Sequence, residues 1–202
     1  MPLSPSVERK HLHTRAIRID GYEREDGLFD IEAHLRDIKS HVFETDHRGQ
    51  VMPGEPLHDM WVRLTVDDRM VIVAAEACTD HGPYAICPGG AASYGKLVGL
   101  RIRSGFLREA NARMAGPAGC THLREMLQEI ATTALQTIWS VRTQRRAAAG
   151  EREGDGDATR MLNSCHAYAA DGPVVRQRWP HLYTDTAGER AEMLSAEPSR
   201  AG

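Results

Sequence analysis

Three short segments of the chain each place a cysteine beside a chain reversal, and two of them add a histidine. They read GPYAICPGG with Cys87, PAGCTHL with Cys120 and His122, and NSCHAY with Cys165 and His166. Thiolate and imidazole groups together suit zinc or iron, and such ligands commonly come from separate loops that the fold brings together. We therefore predict that these five residues bind a metal. No CxxC pair or HExxH helix is present to make the prediction more specific.

Cys120 has two other roles that its position allows. It precedes a predicted helix, where unpaired N–H groups and the helix dipole favour a thiolate, so it is also a candidate nucleophile. It could equally be a small buried residue that lets the start of the helix pack closely. The sequence leaves both alternatives open beside the metal-ligand prediction.

Two residues are candidates for acid–base chemistry. His58 lies beside Asp59 in the turn PLHDM, and a histidine next to a carboxylate can act as a general base or complete a metal shell. Glu32 shares the polar face of a predicted strand with His34 and Arg36. That arrangement also fits a solvated outer face, and most His–Asp pairs merely solvate a turn. We predict Glu32 and His58 as the catalytic residues if the protein is an enzyme.

The sequence patterns around these residues predict an α+β fold with an antiparallel sheet. The segment FDIEAHLRDIK alternates apolar and polar residues with period two, which indicates a half-buried strand. Two β-rich runs, 60–66 and 70–75, are separated by three polar residues and predict a hairpin. For the segment 96–114, which could be strands or a strand and a helix, we expect two further strands.

A change of period marks the second half of the chain. From Thr121 apolar residues recur at steps of three and four, which predicts a long amphipathic helix over about 121–146 packed against the sheet. A charged, Gly-rich stretch at about 147–158 follows as a linker, and then a short helix carries Cys165. We expect a disordered arm over 1–12, a single domain over 13–183 and a disordered tail over 184–202.

Composition narrows the classes of partner and compartment. The 202 residues carry 25 basic and 28 acidic side chains, a formal charge of -3 that gives no reason to expect nucleic acid. No apolar stretch is long enough to span a membrane, and the N-terminal segment lacks the apolar region of a secretory signal. We therefore expect a cytoplasmic protein whose cysteines are reduced.

Several of these segments together resemble a known family. The pieces HTRAIRIDGYEREDGLFDIEAHLRDIK, GEPLHDMWVRLTVD, PYAIC, GCTHL and SCHA are similar to a bacterial family catalogued as domain of unknown function family 2889. The resemblance runs from about residue 13 to about residue 175, and it implies no established activity. A remoter likeness is to iron–sulfur scaffold proteins of the IscU type, whose three cysteines occur in an order like that of Cys87, Cys120 and Cys165.

The leading hypothesis is a metal-binding protein that holds zinc or iron. It could be a hydrolase or lyase acting on a small acid or thioester, with a small-molecule substrate as partner. The alternatives are a non-enzymatic scaffold that delivers metal or an iron–sulfur cluster to an acceptor protein, and a metal-free protein with a thiolate at Cys120. A homodimer is possible. Dinucleotide-binding, P-loop and α/β-hydrolase motifs are absent from the sequence.

Overall fold

The computed structural model describes residues 3–150, 158–159 and 161–185, and the chain divides into two compact units, Met1–Val141 and Arg142–Gly202. The first unit has the predicted α+β fold, with a four-stranded antiparallel sheet in the order β1-β2-β5-β6 and a separate β3-β4 hairpin. The strands are β1 His13–Glu23, β2 Phe29–Lys39, β3 Phe43–Thr45, β4 Gly49–Val51, β5 Pro56–Val66 and β6 Ile72–His81.

The sheet has a buried inner face and a polar outer face because β2 and β5 alternate in sequence. In β2 every odd-numbered residue from Phe29 to Asp37 is buried, whereas the even-numbered residues are half-buried. In β5 the residues Met60, Val62 and Leu64 are buried and Trp61 and Arg63 are exposed. This pattern confirms the half-buried strand that the sequence predicts.

The predicted hairpin is also confirmed. β5 pairs with β6 through a register that includes Val62 opposite Ala77. Its turn is stabilised by Asp67, whose side chain accepts hydrogen bonds from the backbone N–H groups of Arg69 and Val71. Met70 in this turn has a positive φ of 68°.

The segment 96–114 differs from our expectation of two strands. Val71 and Arg101 form only an isolated bridge, and Phe106–Met114 is a helix, α1. Phe106, Ala110 and Met114 recur at four-residue steps, and all three are buried. This helical spacing, and not the β-rich residues before Gly105, determines the structure of the second half of the segment.

The long helix of the second half is present, with a bend. It begins as α2 Thr121–Glu125 and continues beyond Met126 as α3 Leu127–Ala148. α3 lies against β1, since a Cβ atom built on Gly21 would overlap Thr137 Oγ1. Glycine therefore permits the close approach of helix and strand. The core between helices and sheet includes Phe29, Ile31, Leu35, Met60, Leu64, Leu123, Leu127, Ile130 and Ile138.

The second unit has a small core of its own. It centres on Ala158, Val175 and Trp179, of which Val175 belongs to a short helix, α4 Pro173–Arg178. The ring of Tyr168 lies 5.5 Å from that of Trp179. The predicted short helix near Cys165 is a single 3-10 turn, His166–Tyr168, which Cys165 directly precedes.

Three predictions concern the ends and the linker. Residues 3–12 are exposed and form no helix or strand. Of the predicted linker, residues 151–157 lie outside the described residues, as do 186–202 of the predicted tail. The single domain over 13–183 remains a prediction. Within the described part of the chain, no helix combines the length and apolar character needed to cross a membrane.

Candidate functional site

The inner face of the sheet changes from apolar to polar at one end. Arg15 on β1 lies directly opposite Asp37 on β2, and Asp37 lies directly opposite His58 on β5. Because residues opposite each other in a sheet share a face, all three side chains lie on the face that carries Leu35 and Met60. Directly after this row the β2-β5 register shifts between Asp37 and Ile38. Such irregularities are frequent beside functional sites.

Asp37 is the centre of this row. Arg15 donates to both of its carboxylate oxygens, with Nε 2.8 Å from Oδ1 and Nη2 2.9 Å from Oδ2. His58 Nδ1 lies 3.0 Å from Oδ2, and His13 Nε2 lies 3.3 Å from Oδ1. Asp37 is 1% exposed and His58 7% exposed. A buried carboxylate is therefore held in place by one guanidinium and two imidazoles, as buried charges require.

The protonation of the Asp37–His58 pair follows from its burial and neighbours. Burial by itself would raise the pKa of Asp37, but the Arg15 guanidinium outweighs it and holds that pKa below its usual value. Burial, together with the nearby His122, lowers the pKa of His58 below its usual value. An ionised carboxylate and a neutral imidazole are the forms in which these groups bind metals.

The helix α2 brings a second histidine to the row. The ring of His122 lies 3.9 Å from that of His58, with the two planes tilted by 32°. Glu125 of the same helix forms an ion pair with Arg15 Nη1. The helix α2 therefore covers the polar end of the inner face with an imidazole and a carboxylate.

Asp37, His58 and His122 form a group that could hold a metal ion. One ligand atom from each lies within 4.8 Å of the others, and no other set of three or more His, Cys, Asp or Glu residues in the described part of the chain meets this criterion. In a tetrahedral site with bonds of about 2.0–2.1 Å, neighbouring ligand atoms lie about 3.3 Å apart. The 3.0 Å between His58 Nδ1 and Asp37 Oδ2 is close to that spacing.

Cys120 lies next to this group. Burial raises the pKa of its thiol, but contact with the His122 side chain and with the N–H groups of Leu123 and His122 outweighs burial, so the pKa lies below its usual value. The same contact raises the pKa of His122. Cys120 is at the first position before α2, where we predicted a favoured thiolate.

A 3-10 segment, Cys87–Leu97, packs against the turn that carries Cys120. A Cβ atom built on Gly90 would lie 2.9 Å from Cys120 Cβ. Tyr94 of this segment is 1% exposed, and its hydroxyl has no hydrogen-bond partner among the described residues. Burial and the neighbouring Cys120 both raise the pKa of Tyr94. The segment therefore contains a buried hydroxyl without a partner among the described residues.

The structure brings some of the predicted site residues together. His58 and His122 are in ring contact, and Cys120 lies two residues before His122, directly before α2. Cys87 is in the 3-10 segment, with its sulfur 3.1 Å from a Cβ atom built on Gly82. It is not a member of the group of three.

The other predicted residues lie elsewhere. Glu32 is on the outer face, where Arg63 Nε donates to it at 2.8 Å, so it does not line the polar end of the inner face. Cys165 is exposed and directly precedes the 3-10 turn that His166 begins, in the second unit. As metal ligands, Cys87, Cys165 and His166 remain predictions.

Sequence reasoning missed Asp37, Arg15 and Tyr94. The signal for Asp37 was present, because it falls in phase with Phe29, Ile31, Ala33 and Leu35 on the apolar face of β2. A carboxylate in a buried phase needs charged or hydrogen-bonding partners, and that requirement points to a site. Arg15 lies opposite Asp37 only once the strand register is known. Nothing in the sequence around Tyr94 marks its hydroxyl as unpartnered.

One comparison with known proteins matches a range of the chain that includes this cluster. A family model described as a protein of unknown function, DUF2889, matches residues 13–136. No curated protein and no solved structure matches the chain, so the likeness to iron–sulfur scaffold proteins gains no support. The matched range contains Arg15, Asp37, His58, Cys120 and His122, whereas Cys165 and His166 follow it. Since the match spans more than half of the sequence, the chain belongs to the DUF2889 family of proteins of unknown function.

Proposed function

We propose that this protein binds a divalent transition metal, zinc or iron(II), through Asp37, His58 and His122. The observation that carries the proposal is the approach of three ligand atoms to within 4.8 Å of one another at the buried end of the sheet. Two imidazoles and a carboxylate are a usual ligand set for both metals. We infer further that the site functions in the cytoplasm, as the sequence predicts.

The surroundings of the three residues support their use as ligands. Arg15 holds Asp37 through two hydrogen bonds, which fixes the carboxylate before an ion arrives. His58 Nδ1 faces Asp37 Oδ2, so one ion can replace the proton shared by these two atoms. Such supporting contacts are characteristic of metal sites in proteins and affect affinity strongly.

With three protein ligands, the proposed enzyme is a hydrolase or lyase that acts on a small acid or thioester. A bound ion would polarise a carbonyl group and lower the pKa of water. In this scheme Asp37, His58 and His122 would hold the ion, and Arg15 orients the carboxylate of Asp37 through two hydrogen bonds. Glu32 is not proposed as the base, because its carboxylate is paired with Arg63 on the outer face.

Metal analysis tests the proposal. The full chain would be purified without oxygen and its metal content measured by elemental analysis, with His122→Ala as the test variant and His34→Ala as the control. His34 is a fair control because it contacts Asp59 at 2.6 Å on the outer face. We expect about one ion per chain in the wild type and the control and a large loss in His122→Ala. A folded wild type that neither contains zinc or iron nor takes them up would refute the proposal.

A second candidate function rests on the position of Cys120 directly before α2 and two residues from His122. If the protein contains no metal, this pair would act as a thiolate nucleophile with a neighbouring acid. Alkylation by iodoacetamide, mapped by mass spectrometry, separates the two candidates. A metal-free protein that is labelled at Cys120 faster than at the exposed Cys165 would favour the nucleophile.

The expected partner depends on which candidate function is correct. An enzyme requires a small-molecule substrate, whereas a delivery protein releases its ion to an acceptor protein. Incubation of the zinc-loaded chain with a metal-free zinc protein distinguishes them, because only a delivery protein transfers its ion faster than the ion dissociates into solution. A homodimer remains a prediction that the molar mass in solution would test.

A further inference from the structure

The four-stranded sheet has two edge strands, and they differ in what lies beside them. Beside β6, Ile72 donates its N–H to the carbonyl of Leu100 and accepts a hydrogen bond from the N–H of Gly99. β1 pairs with β2 alone. Over residues 14–22, no described residue outside β2 forms a hydrogen bond with the backbone of β1. Because every second N–H and C=O of an edge strand points away from its sheet, β1 offers a row of unpaired backbone groups.

β1 lacks most of the features that protect an edge from pairing. It is 11 residues long, contains no proline, and pairs with β2 without a register shift. Charged side chains can also protect an edge, but those of β1 have both signs. Arg15 and Arg18 lie in the first half of the strand, and Asp20 and Glu23 lie in the second half. An antiparallel neighbour with the same sequence therefore sets its acidic half opposite the basic half of β1.

One register matches these charges in pairs. When two copies of β1 run antiparallel about a two-fold axis at Ile19, Arg18 lies opposite Asp20 of the second copy. Arg15 lies opposite Glu23 in the same way. Arg18 and Asp20 already form an ion pair within the strand, with Nε 2.9 Å from Oδ2. The paired strands would thus place four charges of alternating sign side by side on the outer face, whereas an axis at Arg18 or at Asp20 would set like charges opposite each other.

The same register covers apolar side chains that β1 leaves exposed. Ile17 is 39% exposed and Tyr22 is 47% exposed. About the axis at Ile19, Tyr22 lies opposite Ala16 of the second copy. Ile17 lies opposite Gly21 of the second copy, so each large side chain meets a small residue. This complementarity of charge and size identifies a second copy of the chain as the occupant of the edge.

We propose that two copies of this chain associate through β1, with antiparallel pairing about Ile19 that joins the two sheets into one of eight strands. Main-chain hydrogen bonds between the strands stabilise the pair, and the two Arg18–Asp20 contacts fix its register. The interface does not depend on the proposed metal site, since Arg18 and Asp20 lie opposite His34 and Glu32 on the outer face.

Charge reversal tests this interface. The full chain would be studied with a chelator present, and its molar mass measured by light scattering over a range of concentrations. We expect the wild type to approach twice the 22.4 kDa of one chain. Arg18→Asp and Asp20→Arg each set like charges opposite each other twice per dimer, and each should weaken association by about 10-fold or more. Arg103→Asp is the control, because Arg103 is exposed and ion-paired to Glu109 outside the sheet.

Mixing the two variants tests the register. Arg18→Asp carries two acidic residues beside the axis and Asp20→Arg carries two basic ones. An equimolar mixture should therefore form heterodimers at a concentration at which each variant alone is monomeric. A wild type that stays monomeric, or a dimer that neither substitution weakens, would overturn the inference. Folded variants that do not associate when mixed would overturn it as well.

Hydrogen exchange of the wild type, followed by NMR, provides a test that needs no variant. In the dimer, the N–H groups of residues 14–22 should all be protected, because those not bonded to β2 are bonded to the second copy. On dilution to the monomer, every second one of them should lose its protection, and β5 in the middle of the sheet should not change. Rapid exchange of alternate β1 residues in the dimer would contradict the proposed pairing.

Discussion

The strands β2 and β5 carry two His–Asp pairs, one on each face of the sheet. On the outer face His34 Nε2 lies 2.6 Å from Asp59 Oδ1, and the ring of His34 stacks on Trp61 at 3.6 Å. On the inner face His58 Nδ1 lies 3.0 Å from Asp37 Oδ2, with Arg15 on the carboxylate and His122 on the ring. The two pairs have the same side chains and similar distances.

What differs is burial and the third partner. The side chains of Asp59 and His34 are 15% and 23% exposed, whereas those of Asp37 and His58 are 2% and 9% exposed. Only the inner pair has a further metal-binding side chain within 4.8 Å among the described residues. The comparison teaches that the motif alone does not define a site. The outer pair retains some contact with solvent, whereas the inner pair is buried and needs charged partners to compensate it.

The largest expected effect comes from removing the inner carboxylate. Asp37→Ala leaves Arg15 and His58 buried without their shared partner, and we expect a loss of about 3–5 kcal/mol in the free energy of unfolding. Asp59→Ala on the outer face should cost less, about 1–2 kcal/mol, because it leaves the partly buried His34 and Arg36 without their carboxylate. Urea unfolding of the metal-free proteins measures both. Equal losses in the two variants would show that burial does not distinguish the pairs.

Replacing the inner charges by apolar groups should recover part of that loss. Asp37→Leu combined with Arg15→Met extends the apolar row of Leu35 toward the end of the sheet. We expect this double variant to be about 2 kcal/mol more stable than Asp37→Ala, since buried ion pairs are often replaceable by hydrophobic residues. It should also lose zinc binding. Retention of zinc would remove Asp37 from the ligand set.

A smaller effect is expected from the buried, unpartnered hydroxyl of Tyr94. In the metal-free protein Tyr94→Phe removes a buried O–H group that has no acceptor among the described residues, so the variant should be more stable by about 1 kcal/mol. Urea unfolding in the presence of a chelator measures the change. A loss of stability under these conditions would mean that the hydroxyl has an acceptor without metal.

The smallest expected effect is at Glu32 on the outer face. Its ion pair with Arg63 is partly exposed, so Glu32→Gln should change the free energy of unfolding by no more than about 0.5 kcal/mol. Zinc content should not change. Loss of bound zinc in this variant would connect the outer face to the metal site and restore Glu32 as a functional residue.

The sequence predicted the fold to the extent that periodicity determines it. Alternation in β2 and the four-residue period after Thr121 identified the sheet and the long helix correctly. The helix α1 was missed because it is short and because β-rich residues precede it. The bend at Met126 was not predicted, since the apolar period continues through it.

The site was predicted only in part, for a different physical reason. His58, Cys120 and His122 were identified from their residue types, and His58 contacts both Asp37 and His122. The partnership of Arg15, Asp37 and His58 depends on the register of three strands, which single-strand patterns do not provide. Asp37 could have been found by asking why a carboxylate continues an apolar row.

The central claim is that Asp37, His58 and His122 share one metal ion, and a crystal structure of the zinc-soaked protein tests it most directly. Anomalous difference maps recorded on both sides of the zinc absorption edge would locate the ion. The account predicts a peak about 2.0–2.2 Å from an oxygen of Asp37 and from a ring nitrogen of each histidine. An ordered polar cluster with no peak, or zinc bound only at other residues, would contradict it.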